Sequence, residues 1–185
     1  MSSRDNIIKS RRLFFALWPD DVVRHDIISR LKRLPQHAMH AKKMQPDNLH
    51  LTLHFIGNVE DNMAACLHQA AQTVHCSPFA LQLDTTGYFK PPQIFWMGCS
   101  QLPEGLQVLH QQLADVLLPC GYQPDSRPFT PHVTLLRKLR EPGVAVAFQP
   151  VHWDVKSFAL MESLSSAEGV LYRPLENYLL QSLDG

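Results

Sequence analysis

The chain has 185 residues, 45% of them hydrophobic and 18% charged, with 17 basic and 17 acidic side chains. That length suits one large domain or two small lobes with a sizeable core. Zero net charge excludes a long electrostatic footprint on nucleic acid, because a protein that grips many phosphates carries a basic excess; a small anionic ligand, or only the end of a nucleic acid, stays compatible.

Residues 1–12 are polar and hold no apolar signal core. Leu13 to Trp18 is a short apolar run suited to a buried strand. Pro19-Asp20-Asp21 starts a helix whose apolar stripe is Val22, Val23, Ile27, Ile28 and Leu31, ending before Pro35. A loop with Lys42-Lys43 leads to Pro46 and a strand from about His50 to Ile56. Gly57-Asn58 reads as a turn. Glu60-Asp61 opens a second helix running to about His75, with Ala64, Leu67, Ala71 and Val74 buried. Phe79 to Phe89 alternates as one strand, and Lys90-Pro91-Pro92 separates it from its hairpin partner, Ile94 to Cys99. Pro103-Glu104 starts a third helix with Leu106, Leu109, Leu113, Val116 and Leu117 on one face and Gly121 after its end. A strand follows from about His132 to Leu136. After Pro142-Gly143, Val151–Ser163 and Val170–Ser182 form a hairpin around the polar loop 165–169. This order predicts an α+β fold with a mixed sheet and helices packed outside it.

Cys66, Cys76, Cys99 and Cys120 form no Cys-x-x-Cys pair and match no zinc spacing. A chain of this length folds without disulfides, so four free thiols in a reducing, cytoplasmic setting are expected. No apolar run is long enough to span a bilayer. With no long apolar surface helix, a monomer is expected.

Two stretches share the pattern His-apolar-Thr-Leu, with a proline four residues before each histidine: Pro46 to Leu53 and Pro128 to Arg137. The histidines lie 82 positions apart. Strand alternation puts His50 with Thr52 on one face and Leu49, Leu51 and Leu53 on the other; His132 and Thr134 likewise oppose Val133 and Leu135. Two such strands facing each other give two imidazoles and two hydroxyls around one centre. One imidazole can take a proton while the other gives one, and the threonines can donate to phosphate oxygens. That combination fits in-line displacement at a phosphodiester. No carboxylate accompanies either histidine face. His50 and His54 share a face with Thr52, but two histidines without a further ligand make a poor zinc set, so His54 reads as packing. Arg137 suits a phosphate, yet strict alternation turns it away from His132 unless the strand ends or bulges; a solvated strand end is the other reading. Phe14, Phe15, Trp18, Phe129 and Tyr172 are core or base-stacking candidates.

Taken together, His50-Leu51-Thr52-Leu53 and Pro131 to Arg137, with Arg12 to Leu17 and Gly169 to Tyr172, resemble the two-histidine phosphoesterases, and within them the bacterial RNA 2′,3′-cyclic phosphodiesterases, or 2′-5′ RNA ligases. The resemblance implies a single bilobal domain over residues 1–185, with two mixed or antiparallel sheets related by an approximate two-fold axis, helices outside and a central cleft. It implies hydrolysis of RNA 2′,3′-cyclic phosphate ends to 2′-phosphates without metal or cofactor, and the joining of RNA ends through a 2′-5′ linkage by the same chemistry. It makes His50 the proton donor and His132 the acceptor, with Thr52, Thr134 and Arg137 on the phosphate. Two other readings remain open: a non-catalytic module for RNA ends or nucleotides, and a hydrolase of a small cyclic phosphate.

Overall fold

The computed structural model describes residues 10–32, 38, 40–140, 148–166 and 169–182. The sequence readings at Pro35, Pro142-Gly143 and Ala167-Glu168 lie outside these. The order is β1 (Arg11–Leu17), α1 (Asp21–Leu31), β2 (Lys42–Lys43), a 3-10 turn (Pro46–Asn48), β3 (Leu51–Val59), α2 (Asp61–Ala71), β4 (Phe79–Leu83), β5 (Thr85–Phe89), β6 (Ile94–Gly98), α3 (Glu104–Leu117), a 3-10 turn (Leu118–Cys120), β7 (His132–Arg137), β8 (Val151–Val155), β9 (Ser157–Ser166) and β10 (Gly169–Leu179).

Every strand pairing among the described residues is antiparallel. One sheet runs β10-β9-β1-β3-β7-β6-β5, with β2 also paired to β7; β4 and β8 form a second, two-stranded sheet. The large sheet consists of two arms. Each is built as strand, helix, antiparallel strand: β1-α1-β3 and β6-α3-β7. They meet where Leu51 pairs with Val133.

The apolar run of β1 is explained by burial on both faces. Leu13, Phe15 and Leu17 enter the main core with the buried sides of all three helices. Phe14 and Ala16 turn the other way and pack with Ala159 and Met161. The helices therefore cover one face of the sheet. Asp20 caps α1 by accepting the Val23 N–H at 2.9 Å. Val23, Ile27 and Leu31 are its buried residues, whereas Val22, expected on that stripe, is 74% exposed. In α3, Leu106, Leu109, Leu113 and Leu117 are buried, and Gly121 follows with a left-handed φ of 85°.

The structure corrects several local readings. Gly57-Asn58 is not a turn: both lie inside β3, where Leu13 pairs with Gly57 and Phe14 with Phe55, so Ile56 is an extra, bulged residue. Gly57 takes φ 89° beside it, a conformation glycine tolerates. The second helix ends at Ala71 rather than near His75. Phe79–Phe89 is two strands separated at Asp84, which accepts from the Ser100 N–H and hydroxyl at 2.7 and 2.6 Å; β4 pairs β8 and β5 pairs β6. Val151–Ser163 is likewise divided at Lys156 between the two sheets. The thiols are not all free either. Cys66 on α2 and Cys120 after α3 form a disulfide with a Cα–Cα distance of 5.7 Å, because the two helices pack side by side. Cys76 and Cys99 are free. No helix among the described residues is long and apolar enough to cross a membrane.

Candidate active site

The Leu51–Val133 pairing sets the site. Leu51 and Val133 are fully buried in the main core. In an antiparallel pair the neighbours of such a couple point to the opposite face and stand opposite each other. Thr52 therefore lies across from His132, and His50 across from Thr134. The four residues form a two-fold arrangement on the sheet face away from the helices.

Each imidazole is held in the same way. His50 Nδ1 lies 2.7 Å from the Asn48 carbonyl oxygen, and His132 Nδ1 lies 2.7 Å from the Thr130 carbonyl oxygen. A carbonyl only accepts, so Nδ1 carries the hydrogen in both rings, and Nε2 is left to exchange protons with a ligand. Aromatic rings pack round both. His50 stacks on Trp18 at 5.6 Å and meets Phe14 and Tyr172 at 5.1 and 4.9 Å. His132 meets Phe89 at 5.0 Å and Trp96 at 6.0 Å. The indole of Trp96 lies over Gly87, where an added Cβ would come within 2.1 Å of it.

A bulge follows the threonine in each motif. In β3, Thr52 pairs with Ala16 and His54 with Phe15, so Leu53 is extra. In β7, Thr134 pairs with Trp96 and Leu136 with Phe95, so Leu135 is extra. Both leucines are buried. The inserted residue reverses the alternation beyond it. Leu136 stays in the core and Arg137 swings to the face of His132 and Thr134. In β3 the same reversal sends His54 to the helix side, where its Nε2–H donates to the His110 carbonyl at 2.9 Å and its Nδ1 accepts from the Tyr122 hydroxyl at 2.9 Å.

The electrostatics agree with this placement. The His50 pKa is lowered to about 4, first by burial and then by the positive charges of Arg137 and His132, against the Asn48 hydrogen bond, which raises it. His132 is also lowered, by burial and by Arg137, against the Thr130 hydrogen bond. One guanidinium thus acts on both rings. Neither the Thr52 nor the Thr134 hydroxyl bonds another described residue, which leaves both to a ligand oxygen. No group of three or more His, Cys, Asp or Glu among the described residues could hold a metal ion.

The 2′-5′ RNA ligase superfamily model matches residues 18–167. The chain belongs to this superfamily. An RNA 2′,3′-cyclic phosphodiesterase of Escherichia coli is 34% identical over 173 residues, covering 92% of this chain and 97% of that protein. Another, of Thermus thermophilus, is 31% identical over 191 residues, covering 94% and 92%. The crystal structure of E. coli LigT in apo form superimposes with a TM-score of 0.83 at 33% identity, covering 94% of this chain and 99% of that one.

Against this superfamily background the sequence candidates divide cleanly. His50, Thr52, His132, Thr134 and Arg137 share one face. Phe14, Trp18 and Tyr172 border it, with Trp18 and Tyr172 packed on the Phe14 cluster. Phe15 is core, against Phe158 and Tyr178, and Phe129 stacks on His110 at 3.8 Å. The reading that put His54 on the His50 face is corrected by the Leu53 bulge. Sequence reasoning missed Phe89, Trp96 and Asn48. Asn48 is buried; its side chain donates to the Val170 carbonyl at 2.7 Å and accepts the Tyr172 N–H at 3.3 Å. A position two residues before each motif histidine was its only signal.

Proposed function

We propose that the protein opens 2′,3′-cyclic phosphates at RNA ends to 2′-phosphates, with His50 and His132 as the acid and base. What supports this most is the twin arrangement: two imidazoles tethered alike at Nδ1, each facing the other motif's threonine across the arm junction. The relatives described above are named RNA 2′,3′-cyclic phosphodiesterases, and E. coli LigT has been crystallised with 3′-AMP and with phosphate.

In this mechanism the phosphate lies between the histidines. His132 Nε2 takes a proton from water as its oxygen attacks phosphorus. The P–O3′ bond breaks, and His50 Nε2–H protonates the departing O3′. The hydroxyls of Thr52 and Thr134 donate to the non-bridging oxygens, and Arg137 offsets the charge that grows there. A 5′-hydroxyl in place of water would give a 2′-5′ linkage by the same steps. Because burial holds His50 neutral in the free protein, it acts as the acid only once the bound anion has raised its pKa and the ring has taken up a proton from solvent. The reading also takes residues 1–185 as one catalytic domain, monomeric and cytoplasmic.

The test is an RNA oligonucleotide ending in a 2′,3′-cyclic phosphate, incubated with the protein in EDTA. A 2′-phosphate product is expected. A 3′-phosphate product, no turnover, or turnover only after zinc is restored would overturn the mechanism.

A further inference from the structure

We propose that Lys42 and Arg137 form a second phosphate site, which takes the internucleotide phosphate next to the cyclic one and makes an RNA chain, rather than a nucleoside cyclic phosphate, the preferred substrate. The inference rests on the function proposed above and specifies its substrate.

The placement comes from strand pairing. β2 runs antiparallel along the end of β7, with Lys42 opposite Arg137 and Lys43 opposite Leu136. Cross-strand partners project to the same face, with Cβ atoms about 5 Å apart. The Leu135 bulge has brought Arg137 to the face of the histidines, so Lys42 lies on that face too. Lys43 follows Leu136 to the other side. Lys42 and Arg137 are both exposed, and neither is paired with a carboxylate among the described residues.

Two like charges directly opposite on a sheet repel. Side-chain burial in β2 does not offset that cost, because both of its lysines are exposed. An anion between the two would. The Lys42 Nζ also extends toward the β9–β10 hairpin, 3.6 Å from where a Cβ on Gly169 would stand. The cation pair therefore spans from the second arm to the strand that carries Tyr172, at the edge of the His50 surroundings. Arg137 links the two: its charge reaches both histidines, and Lys42 is its cross-strand partner. A phosphate at the histidines and a second one at Lys42 would share the guanidinium, as successive phosphates of one strand can.

The experiment compares kcat/KM for an oligonucleotide ending in a 2′,3′-cyclic phosphate with that for a nucleoside 2′,3′-cyclic phosphate. Lys42→Ala should cut the oligonucleotide-to-nucleoside ratio about tenfold, the low end for a charge-assisted contact. Lys42→Glu should cut it further, Lys42→Arg should restore it, and Lys43→Ala should leave it unchanged. The log–log salt slope for oligonucleotide binding should fall by about 0.7 in Lys42→Ala, one phosphate contact on a single strand. An unchanged ratio, or an equal loss on both substrates, would overturn the second site. If the wild type turns over neither substrate, the proposed function fails instead. The inference is then still decided by binding: a 2′-phosphorylated oligonucleotide must bind more tightly than a nucleoside 2′-phosphate, through Lys42.

Discussion

The sharpest consequence of the site concerns the proton on His50. Its pKa is held at about 4 by burial, Arg137 and His132, so a proton placed there at pH 7 costs about 4 kcal/mol in the free protein. If His50 is the acid, the phosphate anion must supply that energy when it binds, and binding then takes up a proton. The clean measurement uses His132→Ala, which stops the chemistry and removes the other titrating ring. A cyclic phosphodiester keeps one negative charge throughout, so any pH dependence of binding belongs to the protein. Between pH 5 and the pKa of the complex, Kd for the cyclic-phosphate RNA should weaken about tenfold for each pH unit. Calorimetry in buffers of different ionisation enthalpy should show close to one proton taken up near neutrality. A flat Kd with no proton uptake would show that His50 stays neutral in the complex. That result would refute its role as acid and exchange the two assignments.

The other predictions follow from the same geometry. His50→Ala and His132→Ala should each lower kcat by roughly 10²–10⁴ while circular dichroism shows an unchanged fold; near-normal turnover in either would remove the two-histidine mechanism. Thr134→Val should lower kcat about 10²-fold with little change in KM if its hydroxyl acts on the transition state, which steady-state kinetics reads directly. His54 and His110 stack at 4.2 Å, and burial lowers both pKa values, His110 to about 4. Folding therefore favours their neutral forms: their contribution to stability is complete above pH 6.5 and declines as pH falls toward 4. Melting curves over that range should show the loss, and His110→Leu should make it shallower, with His50, His54 and His132 supplying the remainder. The disulfide closes a loop of sequence separation 54, worth about 4 kcal/mol in the chain-entropy model. The Cys66→Ser, Cys120→Ser double variant should lose an amount of that order in a denaturant titration, and identical midpoints would reject the bond as a stabiliser.

How much of this was readable beforehand depended on whether period two held. His50 with Thr52, and His132 with Thr134, needed only one alternation step, so both pairs and their common face were legible in the chain. Arg137 and His54 lie beyond a bulged leucine, and a bulge leaves no mark in the hydrophobic pattern because Leu53 and Leu135 are as apolar as ordinary core residues. Strict alternation therefore placed both on the wrong face. The divisions at Asp84 and Lys156 were hidden for a similar reason: one residue between two strands of the same period looks like continuity. Phe14 reads as core in any apolar run. That it faces His50 follows only once the helices are known to cover a single face of the sheet. The Cys66–Cys120 bond depends on helix packing, which spacing does not encode.

The bulges also refine the case for two related halves. The motifs share more than His-x-Thr: in both, the leucine after the threonine is the inserted residue, so both strands turn the fifth residue after the histidine back to the site face. In the second arm that residue is Arg137. In the first it is Phe55, 51% exposed, with the Arg12 guanidinium 5.0 Å above its ring. The same backbone device thus puts a cation at this position in one arm and an aromatic ring at it in the other. The Arg137 charge lowers both histidines, but it sits on the strand of His132, opposite a second cation. Equivalent imidazoles in non-equivalent fields cannot share one protonation state across the pH range. An acid and a base can therefore arise from two copies of one motif without any change in the motif itself.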